Sequence, residues 1–325
     1  MKAISVDADK LVWRDAPTPQ PGTGEVLIRN YATAINRADL VQRRGGYPAP
    51  AGASQILGLE CAGVVAEVGE GVTRYRVGDR VCALLAGGGY AQYVAVPAGQ
   101  ALRIPEGLTF EQAASLPEVY ATAYLNLFME ASLQVGERVL LHAGASGVGT
   151  AGIQLCNAFG SPCFVTAGND DKIARCVALG AVNGTNRHSG SFRERIGEWT
   201  EGRGIDVILD PVGASYLADN LRLLATDGRL VIIGLMGGTK AELEIGLMMM
   251  KRLRIIGSTL RARSVAAKAR VMDALAQRVW PHIVAGRIQP IIEAVFPIER
   301  AEEAHALIAG DQTFGKVVMS IGGHE

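Results

Sequence analysis

Gly144-Ala145-Ser146-Gly147-Val148-Gly149 lies between two apolar stretches, RVLLHAG (138–144) and GTAGIQLCNAFG (149–160). A glycine turn that leaves a buried strand and opens a helix gathers backbone N–H groups and the positive end of the helix dipole at one point. That is the chemistry that holds a pyrophosphate. Against the G-x-G-x-x-G pattern of dinucleotide sites, Gly144 and Gly149 match, but Ser146 stands at the middle position with Gly147 beside it. Ser146 narrows the approach of backbone to phosphate unless its hydroxyl meets the phosphate itself. The plainer alternative is a strand-to-helix turn with no ligand.

The second βα turn decides between nucleotides. An NAD site carries an acid about 20 residues past the glycines, on the ribose hydroxyls. Here that count lands on Asn169, after CFVTAG, with Gly168 before it and Lys172 three residues on. Arg187 follows in GTNRHSG. Lys172 and Arg187 suit the charge of a 2′-phosphate, so the spacing favours NADPH. Asp170 and Asp171 point the other way unless they are first-turn acids that stabilise the helix dipole. Both cations also admit a reading as solvated surface charges.

The elements that must position these groups follow from the apolar rhythm. The first hundred residues are β-rich, with EVLIRNYATAI, ECAGVVAEVG, DRVCALLAG and AQYVAVPAG punctuated by Gly, Pro and Asp. From Thr109 the pattern turns helical through LTFEQAASLPEVYATAYLNLFMEAS, with Thr109 and Gln112 as a capping box. Val/Ile/Leu-rich strands at 138–144, 163–168, 205–210, 228–234 and 254–260 then alternate with helices, among them ASYLADNLRLLATDG. This predicts an α/β fold: a β-rich first domain over 1–117, a doubly wound parallel-sheet Rossmann domain over 118–262, and a return segment over 263–325 that completes the first.

Composition removes several alternatives. Lys plus Arg and Asp plus Glu both number 32, so no global field favours nucleic acid or an anionic membrane. The first fifteen residues carry charges by position 7, and no apolar run reaches about 18 residues, which predicts neither a secretory leader nor a membrane span. Five cysteines without a C-x-x-C pair predict a reduced, cytoplasmic chain. The five cysteines and the histidines at 142, 188, 282, 305 and 324 show no zinc-ligand spacing.

Several motifs in order resemble the zinc-free quinone oxidoreductases of the medium-chain dehydrogenase/reductase superfamily, with its GroES-like catalytic domain. They are NRADLVQRRGGYPAPAGASQILGLE (36–60), LLAGGGYAQYV (84–94), IPEGLTFEQAASLPE (104–118), HAGASGVGTAGIQL (142–155), VTAGNDDK (165–172), GLMGG (234–238) and GKVV (315–318). The tumour-suppressor-inducible branch is similar in its SGVG, while Asn157 stands where the family carries a basic residue. Zinc-dependent relatives place cysteine where this chain has Asn36 and histidine where it has Leu59.

The resemblance implies NADPH as cofactor and assigns residues to it. Ser146, Gly147 and Val148 would line the pyrophosphate; Gly168, Asn169, Lys172 and Arg187 would face the adenosine ribose and its phosphate. Thr122, Gly234, Leu235, Met236, Ser258, Thr259 and Leu260 would run along the nicotinamide half, with Lys316 approaching from the tail. Leu235 and Met236 are otherwise core residues ending a strand. Asn36, Tyr47 and Tyr120 would wall the reacting ring, with Asn36 donating to the oxygen that gains charge and Tyr47 offering an aromatic face. Asp39 reads as structural support for Asn36. Arg43 and Arg44 read either as a mobile rim or as solvated charges.

Three activities fit: reduction of quinones by hydride or stepwise electron transfer, reduction of the C=C bond of enals and enones with Tyr47 as proton donor, or a non-catalytic NADPH- or RNA-binding role. A homodimer paired through the edge strand RIIGSTL is expected.

Overall fold

A computed structural model describes residues 1–322 of the chain. The chain separates into two compact units: Met1–Ala121 together with the stretch from Leu260 on, and Thr122–Thr259. It crosses between them at Ala121–Thr122 and again at Thr259–Leu260.

In chain order the first unit holds β1 (Lys2–Asp7), β2 (Lys10–Asp15), β3 (Glu25–Ala34), β4 (Glu60–Val68), β5 (Arg80–Leu84), β6 (Tyr93–Pro97) and β7 (Ala101–Arg103). The second holds β8 (Val139–Leu141), β9 (Cys163–Ala167), β10 (Asn183–Asn186), β11 (Ile205–Asp210), β12 (Leu224–Ile232) and β13 (Arg254–Gly257). The tail adds β14 (Ile292–Pro297) and β15 (Lys316–Ser320) to the first.

Seven strands of the first unit form one sheet, β14-β15-β3-β4-β5-β7, with β6 paired to β3. The tail belongs to this sheet through β15, which pairs antiparallel with β3 so that Val318 faces Ala34. One apolar cluster gathers Ile4, Ile35, Leu57, Tyr90, Ile298 and Val317, and another gathers Val26, Ile28, Val65, Val81 and Val94.

The second unit is an all-parallel six-stranded sheet, β10-β9-β8-β11-β12-β13. Numbered from β8, its order is 3-2-1-4-5-6, and the order reverses between β8 and β11. In such sheets the ligand crevice opens at the carboxyl ends of the strands where the order reverses. The Gly147–Phe159 helix follows β8 and ends on Gly160 in the left-handed region (φ 78°).

Several expected elements differ. The single helix from Thr109 is two, Phe110–Ala114 and Pro117–Tyr124, the second running on as a π-helical turn over Leu125–Glu130. Asn126 Nδ2 donates to the Thr122 carbonyl at 2.7 Å, and Ala131 N reaches the Asn126 carbonyl five residues back at 3.1 Å. The side chain thus competes for a helical acceptor, which widens the turn. The helix expected through 214–228 ends at Leu223, because Leu224 pairs with Ile205 and Asp227, at φ 63°, bulges the start of β12. After Ser264 the return segment forms two helices, Val265–Arg278 and Trp280–Val284, separated at Val279.

All five cysteines are buried free thiols. Burial raises the pKa of Cys61 and Cys82 above the ordinary thiol value and that of Cys176 to about 12. That of Cys156 rises chiefly through its hydrogen bond with Cys163, then through burial.

Candidate functional site

The glycine turn sits at the carboxyl end of β8. Ser146 is the helix N-cap, and its hydroxyl accepts from Gly149 N at 3.0 Å, which leaves the Gly147 and Val148 N–H groups in the uncapped first turn. Glycine is required by the turn's own packing: a Cβ at Gly149 would lie 2.5 Å from the Ala143 and Gly144 carbonyl oxygens, and one at Gly144 would lie 2.6 Å from Val165. Ser146 is exposed, so the cap does not close the cradle to a ligand. These groups fit a pyrophosphate.

At the tip of β9, Asn169 caps the next helix by accepting from Lys172 N at 2.9 Å. Asp170 accepts from Asn186 Nδ2 at 3.1 Å, so it supports the tip as a structural acid. Arg187 is exposed, with its guanidinium 3.6–4.0 Å from where a Gly168 Cβ would stand. Its charge also lowers the Tyr216 hydroxyl against the rise that burial causes. Lys172 is buried, and its charge acts on the Cys176 thiol. Of the two cations expected at a 2′-phosphate, Arg187 has the accessible geometry and Lys172 turns inward.

Beneath the turn lies a buried polar chain that sequence reasoning did not find. His142 Nε2 donates to Asn220 Oδ1 at 2.7 Å, and Asn220 Nδ2 donates to Asp210 Oδ2 at 3.0 Å. His142 Nδ1 accepts from Thr166 Oγ1 at 3.0 Å. Burial lowers His142 to about 4 and raises Asp210 to about 6, so a neutral imidazole and a conditionally charged carboxyl tie β9, β8 and β11 together. The bland signal was a histidine ending an apolar strand.

The loop after β12 brings Gly234 against Pro211, where a Cβ would stand 2.6 Å from the Pro211 carbonyl oxygen. Leu235 and Met236 are exposed, which corrects the reading of both as core. Ser258 and Leu260 are buried, Thr259 is exposed and Thr122 is partly exposed. Tyr120 is buried, and burial raises its hydroxyl pKa, so it packs in the core and is not an open wall.

In the first unit a second polar cluster forms around Glu60, which is fully buried. Glu60 Oε1 receives Lys316 Nζ at 2.7 Å and Asn36 Nδ2 at 2.9 Å; Oε2 receives the Glu118 backbone N–H at 2.9 Å. Lys316 Nζ donates further to the Ile35 carbonyl and to Asn36 Oδ1, each at 2.7 Å. Two expectations change here. Lys316 spends its three hydrogens inside the unit and does not reach out to a cofactor. Asn36 directs both amide hydrogens inward, the second to the Ala34 carbonyl at 3.3 Å, so it has none to give a developing oxyanion. Asn36 and Lys316 are engaged with one another and with Glu60.

Asp39 behaves as expected of a support. Its Oδ2 accepts from the Asn36 backbone N–H at 2.8 Å and its Oδ1 from Gly58 N at 3.1 Å. Tyr90 Oη bonds it at 3.2 Å and reaches His305 Nε2 at 3.0 Å. Burial raises Asp39 to about 6 in spite of these bonds. Tyr47 is partly exposed with Arg261 5.2 Å over its ring, and Arg261 is fixed by the Ala86 carbonyl (2.8 Å), the Tyr47 carbonyl (3.2 Å) and Gln42 (2.8 Å). Arg43 is held by Asp9 at 2.9 Å and Glu302 at 3.0 Å, which corrects the reading of it as a mobile rim.

Glu118 escaped notice in the sequence. It stands in the first turn of Pro117–Tyr124, partly exposed, and its pKa rises to about 8, first by desolvation and then by the charge of Glu60. Its signal was a lone acid after proline in an otherwise apolar stretch. Among the described residues no three His, Cys, Asp or Glu side chains are grouped as a metal site; His324 lies outside them.

Two family profiles match: "Alcohol dehydrogenase GroES-like domain" over residues 22–106 and "Zinc-binding dehydrogenase" over 147–277. The rat quinone oxidoreductase is 30% identical over 307 residues, covering 94% of this chain and 92% of its own length. The rat synaptic vesicle membrane protein VAT-1 homolog is 33% identical over 331 residues, covering 96% and 81%. The Escherichia coli quinone oxidoreductase, solved in complex with NADPH, superposes with a TM-score of 0.87 at 26% identity, covering 98% of this chain and 100% of that one. A GroES-like unit and a parallel Rossmann sheet define an oxidoreductase of the medium-chain dehydrogenase/reductase superfamily. Within it, the chain belongs to the zinc-free quinone oxidoreductase family.

Proposed function

We propose that this chain reduces quinones with NADPH, independently of zinc. The observation that carries the cofactor reading is Arg187 beside Gly168 at the tip of β9, where the acid of an NAD site is missing and Asp170 is engaged by Asn186. The E. coli relative binds NADPH, which supports the same reading. The Gly147 and Val148 amides with Ser146 would hold the pyrophosphate; Gly168, Asn169 and Arg187 the ribose phosphate; Thr122, Gly234, Leu235, Met236, Ser258 and Thr259 the nicotinamide half. When bound, the reduced nicotinamide supplies the hydride, and the protein supplies orientation, dryness and hydrogen bonds.

Asn36 and Leu59 stand where zinc-dependent relatives carry cysteine and histidine, which supports a metal-free reduction. Tyr47 offers a planar, electron-rich face to an electron-poor ring. A second reading, reduction of enones, gains from Glu118, because a carboxyl raised to about 8 is the acid such a reduction needs.

The partner is a second copy of the chain. β13 is a sheet edge, and Met249 and Met250 are exposed apolar residues on the helix before it. Among the described residues no helix is long and apolar enough to cross a membrane, and five free thiols support a reducing, cytoplasmic setting.

Titration with NADPH and NADH, followed by 1,2- and 1,4-quinones, tests the reading. Tighter binding of NADPH and quinone-dependent oxidation are expected. Preference for NADH overturns the cofactor, and binding without turnover on quinones overturns the acceptor.

A further inference from the structure

We propose that Glu118 is the proton donor of this site, giving its proton to the acceptor atom that gains negative charge. The inference rests on the reductase reading above and adds a residue and a step to it.

The geometry begins at Glu60. One of its oxygens binds Asn36 and Lys316, and the other binds the Glu118 backbone N–H at 2.9 Å, so the first turn of Pro117–Tyr124 is fixed against Asn36. Asn36, Lys316 and Glu60 are satisfied by one another, which leaves Glu118 as a partly exposed residue at the margin of a buried cluster, its carboxyl desolvated. The charged groups facing it come from five other parts of the chain: Glu60 on β4, Lys316 on β15, Asp39 on the Arg37–Arg43 helix, Arg261 after β13, and Lys268 on the Val265–Arg278 helix. Tyr47 feels its charge as well.

Desolvation, Glu60 and Asp39 disfavour ionisation, Lys316 and Arg261 favour it, and the first group wins, with a value of about 8. The helix N-terminus also favours the carboxylate. The group therefore enters the reaction protonated at neutral pH.

In the step, the Glu118 O–H bond breaks as an O–H bond forms on a quinone oxygen, or a C–H bond on the α-carbon of an enone. The acceptor has by then gained the electron pair of the hydride. The carboxylate left behind recovers its proton from water. For a quinone the donor is a convenience, since a hydroquinone anion can take its proton from solvent. For an enone, carbon protonation makes it decisive.

The test uses the full chain and Glu118→Gln, with NADPH binding as the check on folding. Infrared difference spectra across pH 5 to 10 read the carboxyl directly. A protonated-carboxyl band that is lost with a midpoint near 8 in the wild type, and that is missing from Glu118→Gln, supports the proposal; titration in the ordinary carboxylate range overturns it. In steady-state assays Glu118→Gln should lose about 10²- to 10⁴-fold in kcat on an enone, and less on a quinone, at unchanged NADPH affinity. The wild-type enone rate should fall above pH 8. A variant with wild-type rates and the same alkaline limb overturns the assignment. A wild type that binds no NADPH removes the reductase reading and the donor with it. A wild type that turns over while Glu118 titrates normally removes Glu118 alone.

Discussion

Arg187 and Lys172 carry the same charge, but only Arg187 is exposed. A charge-assisted bond to phosphate contributes about 1.5–3 kcal/mol, so Arg187→Ala should weaken NADPH by about 10- to 100-fold and leave NADH nearly unchanged. Lys172→Met should change the ratio of the two affinities little. Equilibrium titration of both cofactors checks this, and a larger loss at Lys172 would reverse the assignment. The same contrast explains what the sequence could carry at this scale. The absent acid after β9 was legible as a count of residues; which of two cations is accessible was not, because it depends on the packing of the Asp170–Ala178 helix. Asn36 was likewise legible, but its partners were not. Its position follows from the chain, but the spending of its amide hydrogens on Glu60 and Ala34 is a three-dimensional fact.

At the scale of elements, the reversal point of the sheet is bound together by Thr166, His142, Asn220 and Asp210, on β9, after β8, on the Leu217–Leu223 helix and on β11. His142 has a folded value of about 4 against an unfolded 6.5, so the unfolded chain takes up the proton first as pH falls. The cost of keeping the ring neutral is absent above pH 6.5 and grows to about 3 kcal/mol near pH 4. Denaturant melts of wild type and His142→Phe should show the wild type's advantage narrowing by that amount over this window; a gap constant with pH would mean an ordinary histidine. The strongly apolar strands were legible because burial on both faces removes charge from a strand. β10, with the sequence NGTN, shows no apolar pattern because an edge strand needs none, and the start of β12 reads as helix because its pairing of Leu224 with Ile205 on the preceding strand leaves no mark in the local pattern.

At the scale of the whole molecule, the return of the tail to the first sheet was expected, whereas the strand that achieves it, β15 on β3, owes its register to a partner nearly the whole chain away. The proposed dimer has a direct check: the wild type should sediment at twice the 34.3 kDa chain mass, and Met249→Glu with Met250→Glu should sediment as a single chain. Met250 is 82% exposed in the single chain, so the variant should fold normally; an unchanged dimer would move the interface elsewhere. The burial of all five thiols reaches beyond the fold. Quinones are electrophiles that arylate thiolates, and only the deprotonated sulfur attacks. An enzyme handling them turnover after turnover would inactivate itself through any accessible, ionised cysteine. Thiol titration with a disulfide reagent should therefore find no reactive group in the native chain and five after denaturation, which would make a chain that takes quinones, as proposed, chemically durable against its own acceptor.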